Sequence, residues 1–253
     1  MGGGSGKEIP PVFIVDADKA TEYSAEQGEP ISAKKISLFC DKFAYVEQVD
    51  IKSGKEHAIG RDEPSDILVK SRDTSKKHAS FQFDEELNQW TLSNYSQFNS
   101  LVSGEPCVDV SEGMGKFALA AIGVVRLGTA YVAWTTKPIT GSIMVHCVDG
   151  FLAGRMWATS PDCLSFRIGR AEAADINIPN TMQTISSNHL NFENEPNVGW
   201  TVMDTSTFGT TLYGDWPLKK EKRVLCVPGL KMTIGRHKEK MTFVIKVHNT
   251  CKP

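Results

Sequence analysis

No Cys-x-x-Cys pair occurs in this chain, and none of its six cysteines stands at a zinc-finger spacing from a histidine. That excludes the common structural zinc sites, so Cys40, Cys107, Cys147, Cys163, Cys226 and Cys251 read as reduced thiols of a cytosolic or nuclear protein. Neither sign of charge prevails: the formal net charge is −2, too small and of the wrong sign for a protein that coats nucleic acid. Long apolar runs are missing as well, so no membrane-spanning segment is expected. The start, Met1 to Gly6, lacks the basic region and apolar stretch of a secretion signal, and Gly6 replaces the Ser or Thr that a myristoylation signal needs. Catalytic signatures are absent too. There is no phosphate-binding Gly-Lys-Ser/Thr loop, since Gly115-Lys116 is followed by Phe117, no His-Glu-x-x-His helix and no Gly-x-Ser-x-Gly elbow. The composition therefore points away from an enzyme and calls for neither cofactor nor metal.

What is present is one pattern written twice. The first copy reads Gly60-Arg61, Ser75-Lys76-Lys77-His78, Trp90, a polar loop from Asn94 to Ser100, and Leu127-Gly128. The second reads Gly169-Arg170, Ser186-Ser187-Asn188-His189, Trp200, a loop from Asp204 to Thr210, and Ile234-Gly235. The arginines are 109 positions apart, the serines and histidines 111, and the tryptophans 110. A unit of that length is the size of a small domain, far longer than a solenoid repeat, so the chain reads as a tandem duplication.

From Lys34 onward the apolar residues come in short alternating runs separated by turn formers, as in Phe81-Gln82-Phe83 and Phe166-Arg167-Ile168. This predicts an all-β fold of two sandwiches whose loops cluster on one edge. The one expected helical exception is the Ala-rich stretch from Phe117 to Ile122. Residues 1–33 read as a mostly flexible arm whose Val12-Phe13-Ile14-Val15 either pairs as an added strand or stays extended. The domains are expected at 34–136 and 141–248. The linker around Pro138 and Gly141 is short enough to restrict their mutual orientation.

The glycine before each arginine is expected to let the backbone turn, so that the guanidinium projects from a loop. A planar fork of five donors suits a phosphate or carboxylate, and each serine offers a hydroxyl from a second loop. His78 and His189, each opening a strand, read as buried rings that hold two loops together. A third Gly-Arg, Gly235-Arg236, falls where Leu127-Gly128 stands in the first copy, and Arg236 reads as a surface residue.

These residues resemble those of the forkhead-associated (FHA) domain, and the resemblance runs from about Lys34 to Val247. That family's pattern is Gly-Arg, Ser-x-x-His and Asp-x-Ser-x-Asn-Gly-Thr on an eleven-stranded β-sandwich that binds phosphothreonine peptides. The resemblance implies Arg61 and Ser75 as phosphate contacts in the first domain, with Lys76 adding charge. In the second it implies Arg170 and Ser186, with Ser187 where Lys76 stands and Thr207 as a further hydroxyl. The family's peptide-holding Asn is replaced by Phe98 and Phe208, which cannot make its bonds. Asn99, one position on, offers an amide in the first copy. The implied function is an adaptor that docks phosphorylated partner proteins, intracellular in the nucleus or cytoplasm, without direct contact to nucleic acid or membrane. The competing reading is a phosphate-independent scaffold built from degenerate sandwiches.

Overall fold

The computed structural model describes residues 11–15, 35–42, 45–69, 72–96, 100–102, 105–106, 116–119, 122–128, 130–135, 141–196, 198–214 and 216–247. Residues 136–140 of the expected linker, together with Phe98 and Asn99, lie outside them.

The first sandwich packs a five-stranded sheet on a six-stranded one. The five-stranded sheet runs Lys116–Ala118, Gln89–Asn94, Ala79–Asp84, His57–Gly60, Ile67–Leu68. The other runs Tyr45–Lys52, Lys35–Lys42, Ala130–Thr135, Ile122–Leu127, Ser100–Val102, Glu105–Pro106. The second sandwich repeats this plan. Its five-stranded sheet runs Ile176–Asn177, Ser165–Gly169, Leu190–Glu195, Gly199–Asp204, Arg223–Leu225. Opposite lie Met156–Thr159, Ile143–Asp149, Met241–Val247, Lys231–Ile234, Thr210–Leu212 and Trp216–Leu218, with Val12–Val15 added at the edge beside Met156–Thr159. Leaving that added strand aside, each sandwich has eleven strands among the described residues. The all-β expectation holds, and the period-2 alternation explains it: along Ser165–Gly169, Phe166 and Ile168 point inward while Ser165 and Arg167 face water.

Aromatic rings fill both cores. Trp90 and Trp200 are fully buried at matching positions. Phe83 meets Trp90 edge-on at 5.7 Å, and Phe166 stacks on Phe192 at 4.3 Å with Trp200 alongside at 5.5 Å. Geometries of this kind add about 0.5–1.5 kcal/mol each beyond the area they bury. Cys147, Cys163 and Cys226 are free thiols buried in the second sandwich, and burial raises the pKa of each.

The expected helix at Phe117 to Ile122 is a correction at its described residues, Ala120 and Ala121 lying outside them. Lys116–Ala118 is a strand paired with Gln89–Asn94, and Ile122–Leu127 is a strand paired with Ala130–Thr135. Tertiary packing overrides the alanine propensity. Gly123 lies opposite Trp134, and a β-carbon there would meet the indole at 2.2 Å, so the glycine makes room for a buried ring in a sheet.

Of the two readings of the arm, pairing is the one observed. Val12–Val15 runs antiparallel to Met156–Thr159, and Ser160 N–H donates to the Pro11 carbonyl at 2.9 Å. Val15 is buried with Met144, Met156 and Ala158, and Phe13 packs against them, so the added strand both satisfies an open edge and covers an apolar face.

The two sandwiches also touch. Strand Arg223–Leu225 of the second lies against Lys35–Lys42, Tyr45–Lys52 and Ala130–Thr135 of the first. Val124 and Ala133 join the core of the second sandwich, and the Arg126 guanidinium stands 5.5 Å over the Trp216 ring.

Candidate functional site

At one edge of each sandwich, three loops are stitched together by the same backbone bonds. Arg61 N–H donates to the Ser75 carbonyl at 3.0 Å, and Arg170 N–H donates to the Ser186 carbonyl at the same distance. His78 N–H reaches the Ile59 carbonyl, and His189 N–H the Ile168 carbonyl. Ala58 N–H and Arg167 N–H are capped by the Asp66 and Asp175 carboxylates at 2.9 and 2.8 Å. The glycines before the arginines act differently from the expectation. Neither has a positive φ; instead a β-carbon on Gly60 would stand 1.7 Å from the Lys76 carbonyl oxygen, and one on Gly169 2.0 Å from that of Ser187. Glycine is required because the serine loop crosses directly over it, not because the chain turns there.

The two histidines are wholly buried, as expected. The Ser75 N–H donates to His78 Nδ1 at 3.1 Å, and the Ser186 N–H to His189 Nδ1 at 3.0 Å. An Nδ1 that accepts puts the proton on Nε2, which His78 directs to Ser100 Oγ (2.9 Å) and His189 to the Gly209 carbonyl (3.3 Å). Each ring thus fixes the serine loop to the end of the third loop. Burial pushes His78 down to about 4. Burial also lowers His189, against opposing pulls from Asp204 and the Gly209 carbonyl. Both rings are neutral struts.

The third loop differs between the copies. In the second, the buried Asp204 carboxylate accepts from Ser206 N–H (2.8 Å) and Thr210 N–H (3.0 Å), and Ser206 Oγ accepts from Gly209 N–H (2.8 Å). In the first, Asn94 takes the place of that aspartate: its Oδ1 accepts from Ser96 N–H and Ser100 Oγ while its amide donates to the Ser96 carbonyl.

The side chains at the mouth are arranged as follows. Ser75 Oγ and Ser96 Oγ share a bond of 2.7 Å, and Ser186 Oγ accepts from Thr207 N–H at 2.9 Å. Thr207 therefore meets the serine through its backbone, while its own side chain is exposed. Arg61 is exposed, 3.5 Å from Asp62 Oδ1, with Nη1 directed at the Arg72 carbonyl at 3.4 Å. Arg170 is half-buried, and its Nε donates to the Ile185 carbonyl, next to Ser186. Lys76 is exposed, and its carbonyl accepts from Ser65 Oγ at 3.2 Å. Each Arg–Ser pair thus sits on two adjoining loops at a solvent-facing edge. Among the described residues, no group of three or more His, Cys, Asp and Glu gathers as a metal would require.

Two features beside these pairs escape motif reading. In the first sandwich Lys77 Nζ bonds Glu56 Oε1 (2.8 Å), Tyr95 OH donates to the same oxygen (2.9 Å), and the ammonium lies 4.3 Å over the Tyr95 ring. Lys77 foremost, with Ser80 and Tyr95, pulls Glu56 down to about 2. In the second, Arg236 is exposed, as expected, yet it also stands 4.9 Å over the ring of Phe208 and donates from Nη2 to the Phe208 carbonyl at 3.2 Å. The sequence marks Lys77 beside the first histidine and Arg236 in a third Gly-Arg, but not the rings over which they lie.

The family profile described as FHA domain matches residues 57–113 and 166–226, one stretch in each sandwich. The chain is a tandem FHA-domain protein. Among solved structures, an FHA domain from Arabidopsis thaliana is 22% identical with a TM-score of 0.39, over 47% of this chain and 96% of its own. The N-terminal FHA domain of S. cerevisiae Rad53p, solved with a phosphothreonine peptide, is 21% identical with a TM-score of 0.38, over 42% of this chain and 92% of its own. An FHA domain from Chlamydia trachomatis is 22% identical with a TM-score of 0.35, over 40% of this chain and 96% of its own. No curated protein matches the chain. Among the described residues no helix is long and apolar enough to cross a membrane.

Proposed function

We propose that the chain is an intracellular adaptor whose two domains, 34–136 and 141–248, dock phosphothreonine-bearing segments of partner proteins at the Arg61–Ser75 and Arg170–Ser186 edges. The observation that carries this reading is the twice-built junction in which an arginine N–H binds the carbonyl of the facing serine. It sets a guanidinium fork and a hydroxyl on adjacent loops, the donor set that a phosphate dianion takes. The Arg61–Asp62 pair does not stand in the way. Exposed ion pairs contribute about 0.2–1 kcal/mol, whereas each hydrogen bond to a charged phosphate contributes about 1.5–3. Lys76 adds charge at the first edge; Asn99 and Thr207 complete the contact sets that the family pattern suggests.

The test is a titration of the full chain with matched peptides carrying phosphothreonine, phosphoserine or the unmodified residue, repeated with Arg61→Ala and Arg170→Ala. Binding that needs the phosphate and falls in one or both variants supports the reading. Equal affinity for unmodified peptides, insensitive to both substitutions, would return the chain to the scaffold class.

A further inference from the structure

We propose that the hairpin Gly235–Lys240 is a basic ledge in the second domain that binds a second anionic group on the same peptide, beside the phosphothreonine, with Arg236 setting the preference. This rests on the phosphopeptide reading of the Arg170–Ser186 edge.

The ledge is an addition to the repeat. In the first sandwich Leu127 pairs with Ala130, so two residues close the corresponding hairpin. In the second, Ile234 pairs with Met241, and six residues close it, Gly235-Arg236-His237-Lys238-Glu239-Lys240. Four of those six are basic residue types, and all four are exposed. The segment has a built shape: Gly235 and His237 take φ of 76° and 53°, and His237–Glu239 form a 3₁₀ turn.

The same hairpin is fastened to the phosphate loop. Thr184, two residues before Ser186, donates to Glu239 Oε2 from both its N–H and its Oγ1 at 2.7 Å, and its Oγ1 accepts from Arg236 N–H at 3.0 Å. These bonds occupy the segment's one carboxylate and hold its pKa below the usual range, so it stays ionised as an anchor facing the protein. The cations are left on the outer side.

Arg236 is then aimed by Phe208. The ring supports the guanidinium at 4.9 Å and the Phe208 carbonyl takes one N–H at 3.2 Å, leaving further donors toward solvent. The preceding residue, Thr207, bonds Ser186 Oγ. Neighbouring Cα atoms are about 3.8 Å apart, and an extended peptide advances about 3.3 Å per residue. A phosphate seated at Ser186 therefore brings flanking side chains of its peptide within reach of Arg236. Phe208 stands where the family pattern has an amide, and it exchanges a peptide-backbone contact for the seat of a cation. The chemistry recognised is a carboxylate or a second phosphate.

The experiment uses the full chain carrying Arg61→Ala, so that the second site reports, and phosphothreonine peptides of one core sequence with neutral, aspartate-bearing or phosphoserine-bearing flanks. At low salt the anionic flanks are expected to tighten binding about tenfold, a difference that added salt reduces. Arg236→Gln with Lys238→Gln is expected to bring the ratio near one while leaving the neutral peptide within about twofold of its original affinity. Replacing Gly235–Lys240 by the Gly-Thr pair of the first domain checks this with a second variant, and thermal melts confirm that both fold. Tightening by both flanks assigns a general anion site, and by the phosphoserine flank alone a phosphate site. A flat flank response, or a preference that survives both variants, overturns the ledge while Arg170-dependent binding leaves the phosphothreonine reading standing. No binding of any phosphothreonine peptide overturns both.

Discussion

At the first domain's edge the extra cation, Lys77, is bound to Glu56 and covers Tyr95; at the second, Asn188 and Thr205 stand in those places and the cations are carried by the hairpin after Ile234. Asn94 anchors the third loop of one domain and Asp204 that of the other. Yet the backbone bonds made by Arg61 and His78 recur at Arg170 and His189, and each histidine accepts from the serine N–H three residues before it, so main chain and a ring that both copies keep hold the frame. An edge framed by main chain and one buried ring can change the side chains around it without losing its shape. The divergence has fallen on the electrostatics beside the Arg–Ser pair and spared the frame.

The strongest way to break the comparison is to remove one arginine at a time. Arg61→Ala or Arg170→Ala is expected to lower the phosphopeptide affinity of its own domain by about 1.5–3 kcal/mol, or roughly tenfold to a hundredfold, measured by fluorescence anisotropy. An arginine whose loss changes nothing marks a domain that has kept the frame and lost the site.

Next come the struts. His78→Ala and His189→Ala each leave a half-buried serine N–H without its acceptor and are expected to cost about 1–3 kcal/mol in urea unfolding. Similar losses in the two domains would confirm a shared frame.

The rings also set an acid limit. His78 titrates at about 4 in the fold, below its ordinary 6.5, so the unfolded chain binds the proton first. Its stabilising contribution is complete above about pH 6.5 and is lost as pH falls through that value toward about 4. His189 shifts in the same direction, opposed by Asp204. Histidine NMR titration is expected to find both rings protonating below free imidazole, and His78→Gln to flatten the fall in stability over this range.

Swapping the loop anchors gives a smaller effect. Asp204→Asn exchanges a carboxylate that accepts two backbone N–H groups for an amide, and Asn94→Asp loses the donor to the Ser96 carbonyl. Each is expected to cost about 1 kcal/mol, read from the urea midpoint. Phe208→Ala should be mildest, about 0.5–1 kcal/mol for an exposed cation–π contact, as a small decrease in melting temperature.

The sequence by itself carried the duplication, the all-β class and the Arg, Ser and His positions of both edges, since strand alternation and loop motifs are local patterns that survive in the order of residues. Tertiary structure decided the rest. That Gly60 and Gly169 make room for a crossing loop, that Gly123 lies against Trp134 within a sheet, and that Val12–Val15 completes the second sandwich all depend on which strands become neighbours. Arg236 is the plainest case. In the sequence it is one cation of a basic turn, 28 positions from Phe208 and 52 from Thr184, and only the folding of three separate loops onto one edge brings it to both. Local spacing encodes what a segment becomes; what it meets is settled by burial and hydrogen-bond satisfaction across the whole chain.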